Sequence, residues 1–224
     1  MPSIYANIFN GIRDFSLNSI QNFPFTMAVS FLILGVVFIQ PSWVLLTVGI
    51  ALVYLIVIIL QSGFGYLAPI LGQTFIEQFN TPIPQGPTAC YPFSGTARAF
   101  TFPSEWMTET AFILFFFIYN SYKISMLNGN KKLFDAYTRR MSKTQISLLV
   151  STGLLCIFML MRAQMGCDTN YSVVISTGLG MGLAVLYWNI LDICNTKLNS
   201  DVLGITRNMA PPTDSDEQAI VCHA

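Results

Sequence analysis

The chain has 224 residues, of which 53% are hydrophobic and only 10% are charged, against about 25% charged in an ordinary soluble domain. Eleven basic residues balance eleven acidic ones, so no polybasic surface for nucleic acid is implied. One histidine, His223, and five cysteines without a CxxC pair argue against a metal centre, and no cofactor is expected.

Several apolar runs of roughly 18 residues predict an all-α, polytopic membrane helix bundle of about five transmembrane helices. The opening stretch MPSIYANIFNGIRDF lacks a basic region followed directly by an apolar one. It therefore does not read as a cleaved signal peptide, and the first helix serves as its own insertion signal. Within residues 1–22, Ile8, Ile12 and Phe15 share one helical face, which predicts a short interfacial helix. The transmembrane domain is expected over 23–194, followed by a polar, flexible tail over 195–224 with Pro211, Pro212, Asp214, Asp216 and Glu217.

The first membrane helix is predicted from about Pro24 to Gln40, with a tight turn at Pro41-Ser42. The second begins at Trp43, an aromatic of the interfacial type. Its pattern runs to Phe79, too long for one crossing and short for two. That predicts one long or kinked helix, bent near Gly63, Gly65 or Pro69. Residues 80–102 form a loop that keeps Tyr91, Phe93 and Phe100. A third helix starts near Pro103, a fourth spans about Thr144–Met161 and a fifth about Ser172–Ile193.

The stretch 122–143 holds Lys123, Lys131, Lys132, Arg139, Arg140 and Lys143, six of the eleven basic residues. The positive-inside rule makes this loop cytoplasmic, lying on lipid headgroups. Alternation then makes the tail cytoplasmic as well. It brings loops 80–102 and 162–171 together on the opposite face, where Cys90 and Cys167 are candidates for a disulfide in an oxidising compartment. Cys156 and Cys194 read as small apolar helix residues, and Cys222 is not placed for prenylation.

Those two far-side loops carry IEQFNTPIPQG, FPSEW and MRAQMGCDTNYSVV, in that order. Together they resemble the type 2 phosphatidic acid phosphatase superfamily, in particular its dolichyl-diphosphatase-like branch. That family carries a Lys…Pro-Arg-Pro motif, a Pro-Ser-x-His motif and an Arg-x5-His-x-x-x-Asp motif. The resemblance spans roughly residues 24–193. Arg162, Pro82, Pro84, Pro103, Ser104, Gly166 and Thr169 keep their motif places. The family's lysine falls at Ile76, its first arginine at Ile83, and its Pro-Ser-x-His histidine at Trp106. Its nucleophilic histidine falls at Asp168, and the acid that orients it at Ser172.

The family's reaction needs one imidazole to attack phosphorus, a second to protonate the leaving oxygen, and cations for the phosphoryl oxygens. One cation remains and neither imidazole does. Each such loss removes a factor of roughly 10² to 10⁴. The resemblance therefore implies a pseudoenzyme with a structural, assembly or lipid-binding role. Its partners would be membrane lipids, with other membrane or structural proteins as candidates. The alternative is a lipid phosphatase or diphosphatase with a rebuilt site. A channel or transporter is disfavoured, because no helix carries a stripe of ionisable residues. Relatives of the family point to an endoplasmic-reticulum-type membrane or an internal virion membrane.

Two readings of Arg162 stand side by side. It binds an anionic lipid head or phosphate, or it is a helix-end arginine that snorkels or pairs with Asp168. Asp168 as an aspartyl nucleophile would require Mg²⁺ and further carboxylates, for which Glu105 and Glu109 are the candidates. Glu105 otherwise reads as a first-turn acid behind a Ser104 cap, and Trp106 as the filler of a vacated histidine's volume. Gly178, Gly180 and Gly182 read as a helix-contact pattern, for packing inside the bundle or for self-association.

Overall fold

The computed structural model describes residues 22–39, 41–79, 101–126, 134–164 and 167–193. They form six helices: α1 Phe23–Val37, α2 Pro41–Leu71, α3 Gln73–Phe79, α4 Glu105–Met126, α5 Phe134–Gln164 and α6 Asn170–Ile193. There is no strand among the described residues. The interfacial segment expected over 1–22 lies outside them except for Asn22, as does the tail expected over 195–224.

Local chemistry sets the helix ends. Pro24 opens α1 in its first turn, where its missing N–H is not needed. α1 closes with the Phe38 and Ile39 amides bonded back to Leu34 and Val36 at 2.9 and 3.4 Å. Ile39 then takes a left-handed φ of +51°, a strained choice for a β-branched residue. The reversal thus comes before Pro41, and Pro41-Ser42 form the first residues of α2 rather than the turn. α2 runs uninterrupted for 31 residues, through Gly63, Gly65 and Pro69. The break falls instead at Gly72, whose φ of +86° is the usual end of a helix in glycine's left-handed region. The short α3 comes directly after it.

α5 also differs from expectation. It begins at Phe134, ten residues before the apolar part at Thr144, so Arg139, Arg140 and Lys143 belong to a helix and not to a loop. At 1.5 Å per residue that basic extension is about 15 Å long.

Three helices are long and apolar enough to cross a membrane: Pro41–Leu71, Thr144–Gln164 and Asn170–Ile193. α1 is apolar but shorter, at 15 residues. α4 falls outside that group for a physical reason: it is the axis of the bundle. α6, α5, α2 and α1 all pack against it. Met107, Phe112, Ile113 and Phe116 are wholly inaccessible, and so are the polar Thr108, Thr110 and Ser121. A helix that touches protein on most sides need not be as apolar as one that touches lipid. The outer helices show the converse. Ile59, Leu149 and Ile193 are 69%, 73% and 82% exposed. Water would penalise such apolar faces, whereas a bilayer accommodates them.

Cross-helix contacts fix the relative directions. α4 and α6 run parallel: the Ser104 amide donates to Ser176 Oγ at 2.8 Å, and further along the Trp188 indole N–H donates to Asn120 Oδ1 at 3.3 Å. α5 runs antiparallel to them. Phe158 meets Trp106 with centroids 5.5 Å apart, and Ser147 lies 3.0 Å from Ser121 between their hydroxyl oxygens. α2 is antiparallel as well, since Gln61 reaches Pro103 at one end while Leu45 accepts from the Tyr187 hydroxyl at 2.6 Å at the other. α1 runs alongside α4, with Phe23 on Phe158 and Phe31 on Phe117.

Of the three glycines in α6, only Gly180 faces the bundle. A Cβ there would collide with the Thr108 carbonyl oxygen and sit 2.8 Å from Ala111 Cβ, whereas Gly178 and Gly182 face open space. Gly180→Ala should therefore force α4 and α6 apart and cost about 1–3 kcal/mol, the usual range for overpacking. Gly178→Ala should leave the melting temperature in detergent unchanged or slightly raised. Equal melting temperatures for the two variants would contradict this packing.

Candidate functional site

The site lies where α4 and α6 begin and α5 ends. Its floor is the segment 101–104. Gln61, buried in α2, donates through Nε2 to the Pro103 carbonyl at 2.9 Å and to the Thr101 carbonyl at 3.4 Å. Ser104 is held from both sides. Its amide donates to Ser176, and its carbonyl accepts from the Thr108 amide at 3.0 Å and the Thr108 hydroxyl at 2.7 Å. Its own hydroxyl accepts a long 3.4 Å bond from the Met107 amide, which makes Ser104 the cap of α4, with Glu105 in the first turn. The bonds from α2 and α6 thus anchor this short segment and, with it, the first turn of α4.

That turn carries Trp106. Its ring stands edge-on to Phe158 of α5, and the Arg162 guanidinium sits 5.0 Å from its centroid, within the range of a cation–π contact. Arg162 occupies the last turn of α5, where the helix dipole favours a cation. Its Nε donates to Asp168 Oδ2 at 2.7 Å, and the two side chains are only 6% and 3% exposed. Thr169 then caps α6: its hydroxyl accepts from the Ser172 amide at 3.2 Å and its carbonyl from the Val173 amide at 2.9 Å. The ion pair therefore ties the end of one helix to the start of the next, with the dipoles of both helices in its favour.

The structure brings Trp106, Arg162 and Asp168 into contact and sets Ser104 and Ser172 nearby as helix-start residues, Ser172 being buried. Ile76 packs in a different cluster. It is half-buried in α3 beside an aromatic cluster that includes Phe64, Phe75, Phe79 and Phe102. Ile83, Cys90 and His223 lie outside the described residues. Cys167 is 1% exposed and carries a disulfide whose partner lies outside the described residues. Cys156 is a free, exposed thiol. Among the described residues no group of three His, Cys, Asp or Glu side chains is placed to hold a metal ion.

Two residues of the site, Gln61 and Ser176, are not singled out by the sequence motifs. Each is a polar side chain within an apolar helix, and each is buried. In such a position a polar group must find a partner or be strongly penalised. That is the signal by which they could be found.

No protein-family model matches the chain, and neither a curated protein nor a solved structure matches it.

Chemically, the arrangement is a neutralised cation. Asp168 engages the guanidinium through Nε, and Trp106 covers one of its faces. Removing one member of a buried pair leaves the other charge uncompensated. Asp168→Ala or Arg162→Ala should each lower unfolding stability in detergent by about 3–5 kcal/mol. The double variant Arg162→Met/Asp168→Leu should recover most of that loss, giving a large coupling energy in the double-mutant cycle. Additive losses would show that the two side chains do not depend on each other.

Proposed function

We propose that this chain is a multi-pass membrane protein of type 2 phosphatidic acid phosphatase-like fold that has lost phosphoryl-transfer chemistry. It would keep a structural, assembly or lipid-binding role. One observation carries the reading. At the position where that family needs a nucleophilic imidazole, Asp168 instead neutralises the one motif cation that remains, Arg162. Tryptophan, at position 106, stands where the second imidazole would be. A carboxylate spent on an arginine is a poor nucleophile, and a guanidinium spent on a carboxylate is a poor phosphate receptor.

The alternation of α1, α2, α4, α5 and α6 supports five crossings, with α4 and the shorter α1 completing the three strongly apolar spans. Two independent signals support one orientation. The disulfide at Cys167 favours an oxidising compartment at the Arg162 end. The basic residues Lys123, Arg139, Arg140 and Lys143 cluster toward the opposite end, as expected of a cytoplasmic face. An endoplasmic-reticulum-type membrane or an internal virion membrane fits both signals.

The test is phosphate release by the purified, full-length protein in detergent. Substrates are phosphatidic acid, an isoprenyl diphosphate and a sphingoid phosphate, each with and without Mg²⁺, beside Arg162→Ala. The expected result is no release above that variant. Release that disappears in Arg162→Ala would establish an active phosphatase with a rebuilt site and overturn the proposal.

A further inference from the structure

The end of the bundle opposite Arg162 holds a second cation set against aromatic rings. Lys123 sits in the last turn of α4. Its ammonium lies 5.4 Å from the centroid of Tyr119 and 5.3 Å from that of Trp188. The two rings meet edge to face, with centroids 5.3 Å apart. The Trp188 indole is fixed in turn by its hydrogen bond to Asn120 Oδ1, and both residues are buried. The lysine is therefore held in place by aromatic faces, which orient a cation without satisfying its three N–H donors.

No carboxylate among the described residues pairs with Lys123. Asp192 is the acid one turn beyond Trp188 on α6, and it is exposed and makes no ion pair with the lysine. A half-buried ammonium with no counter-ion among the described residues is complementary to an anion. Its surroundings say which kind. Trp43, Tyr119, Tyr122 and Trp188 cluster at this end of α2, α4 and α6. Such aromatics gather where a bilayer meets water. Phe38 and Ile39, in the reversal at the same end, are 61% and 86% exposed, an apolar surface suited to acyl chains. The basic extension of α5 emerges here too, because Ser147 on α5 meets Ser121 on α4.

We propose that Lys123, framed by Tyr119 and Trp188, binds the headgroup phosphate of an anionic phospholipid at this interface. The lysine supplies the charge and the hydrogen-bond donors. The rings fix its position so that little side-chain freedom is lost on binding. The site shares no residue with the Arg162 end and stands whether or not that end is catalytically silent.

The test is native mass spectrometry of the full-length protein in detergent, titrated with phosphatidic acid or phosphatidylcholine of matched acyl chains. The wild-type protein should take up its first phosphatidic acid at a concentration roughly fivefold lower than phosphatidylcholine, the scale expected for one interfacial lysine. Lys123→Gln should erase that preference, and Lys123→Arg should keep it. Millimolar inorganic phosphate should not displace the lipid. The proposal is overturned by a wild-type protein without preference, by a preference that survives in Lys123→Gln, by one lost in Lys123→Arg, or by displacement with free phosphate.

Discussion

The fold at the Arg162 end of this bundle depends on one buried ion pair. Arg162, in the last turn of α5, and Asp168, in the α5–α6 connection, are six residues apart, and both are almost wholly removed from solvent. Neither charge is tolerable there alone, since burying an unpaired ion costs several kcal/mol even after relaxation. The pair therefore sets where α5 stops and how α6 sets out. It also sets what Trp106 can do, because the guanidinium that Asp168 holds lies against the indole face. The Pro103-Ser104 segment, held by Gln61 and Ser176, presents the indole at that height. Carboxylate, guanidinium and tryptophan form one contiguous unit.

Away from that unit the bundle is organised by the contrast between its centre and its rim. α4 carries buried Thr108, Glu109, Thr110, Asn120 and Ser121, and the helices around it turn Val, Leu and Ile outward. Small residues and side-chain hydrogen bonds, rather than apolar burial, are what join helices in a lipid environment. Gly180 against the α4 backbone and the Trp188–Asn120 bond are of that kind. Lys123 lies in the last turn of the same helix, so the two ends of α4 present opposite surroundings for a cation. At one end Arg162 is neutralised by a carboxylate. At the other, Lys123 lies against the rings of Tyr119 and Trp188.

Much of this is legible in the sequence. The apolar runs mark the long helices, Ser104 and Glu105 mark the start of α4, and the close spacing of Arg162 and Asp168 raises their pairing as one of two readings. Other features are hidden for definite reasons. The first ten residues of α5 read as a basic loop, because charge dominates their composition while helical propensity is a weak prior. Pro69 is an expected bend in α2. A proline disfavours a helix interior but does not end this one, and the left-handed Gly72 does. The glycines of α6 announce a contact without saying which of them makes it. Alternate spacing puts Gly178 and Gly182 on one side and Gly180 on the other, and only packing against Thr108 distinguishes the two. Gln61 looks in sequence like the fading of an apolar run, whereas in the fold it supports the 101–104 segment.

In this arrangement Asp168 takes the role that an anion would otherwise take at Arg162. Calorimetric titration of the detergent-solubilised protein with inorganic phosphate tests it most directly, with the wild type and Asp168→Asn compared at equal ionic strength. The pairing predicts no measurable phosphate binding by the wild type and a new, salt-sensitive binding by Asp168→Asn, where the guanidinium has lost its counter-charge but keeps its shape. Phosphate binding by the wild type that is lost in Arg162→Ala would contradict the claim, and would mean that the arginine is open to ligands despite its partner.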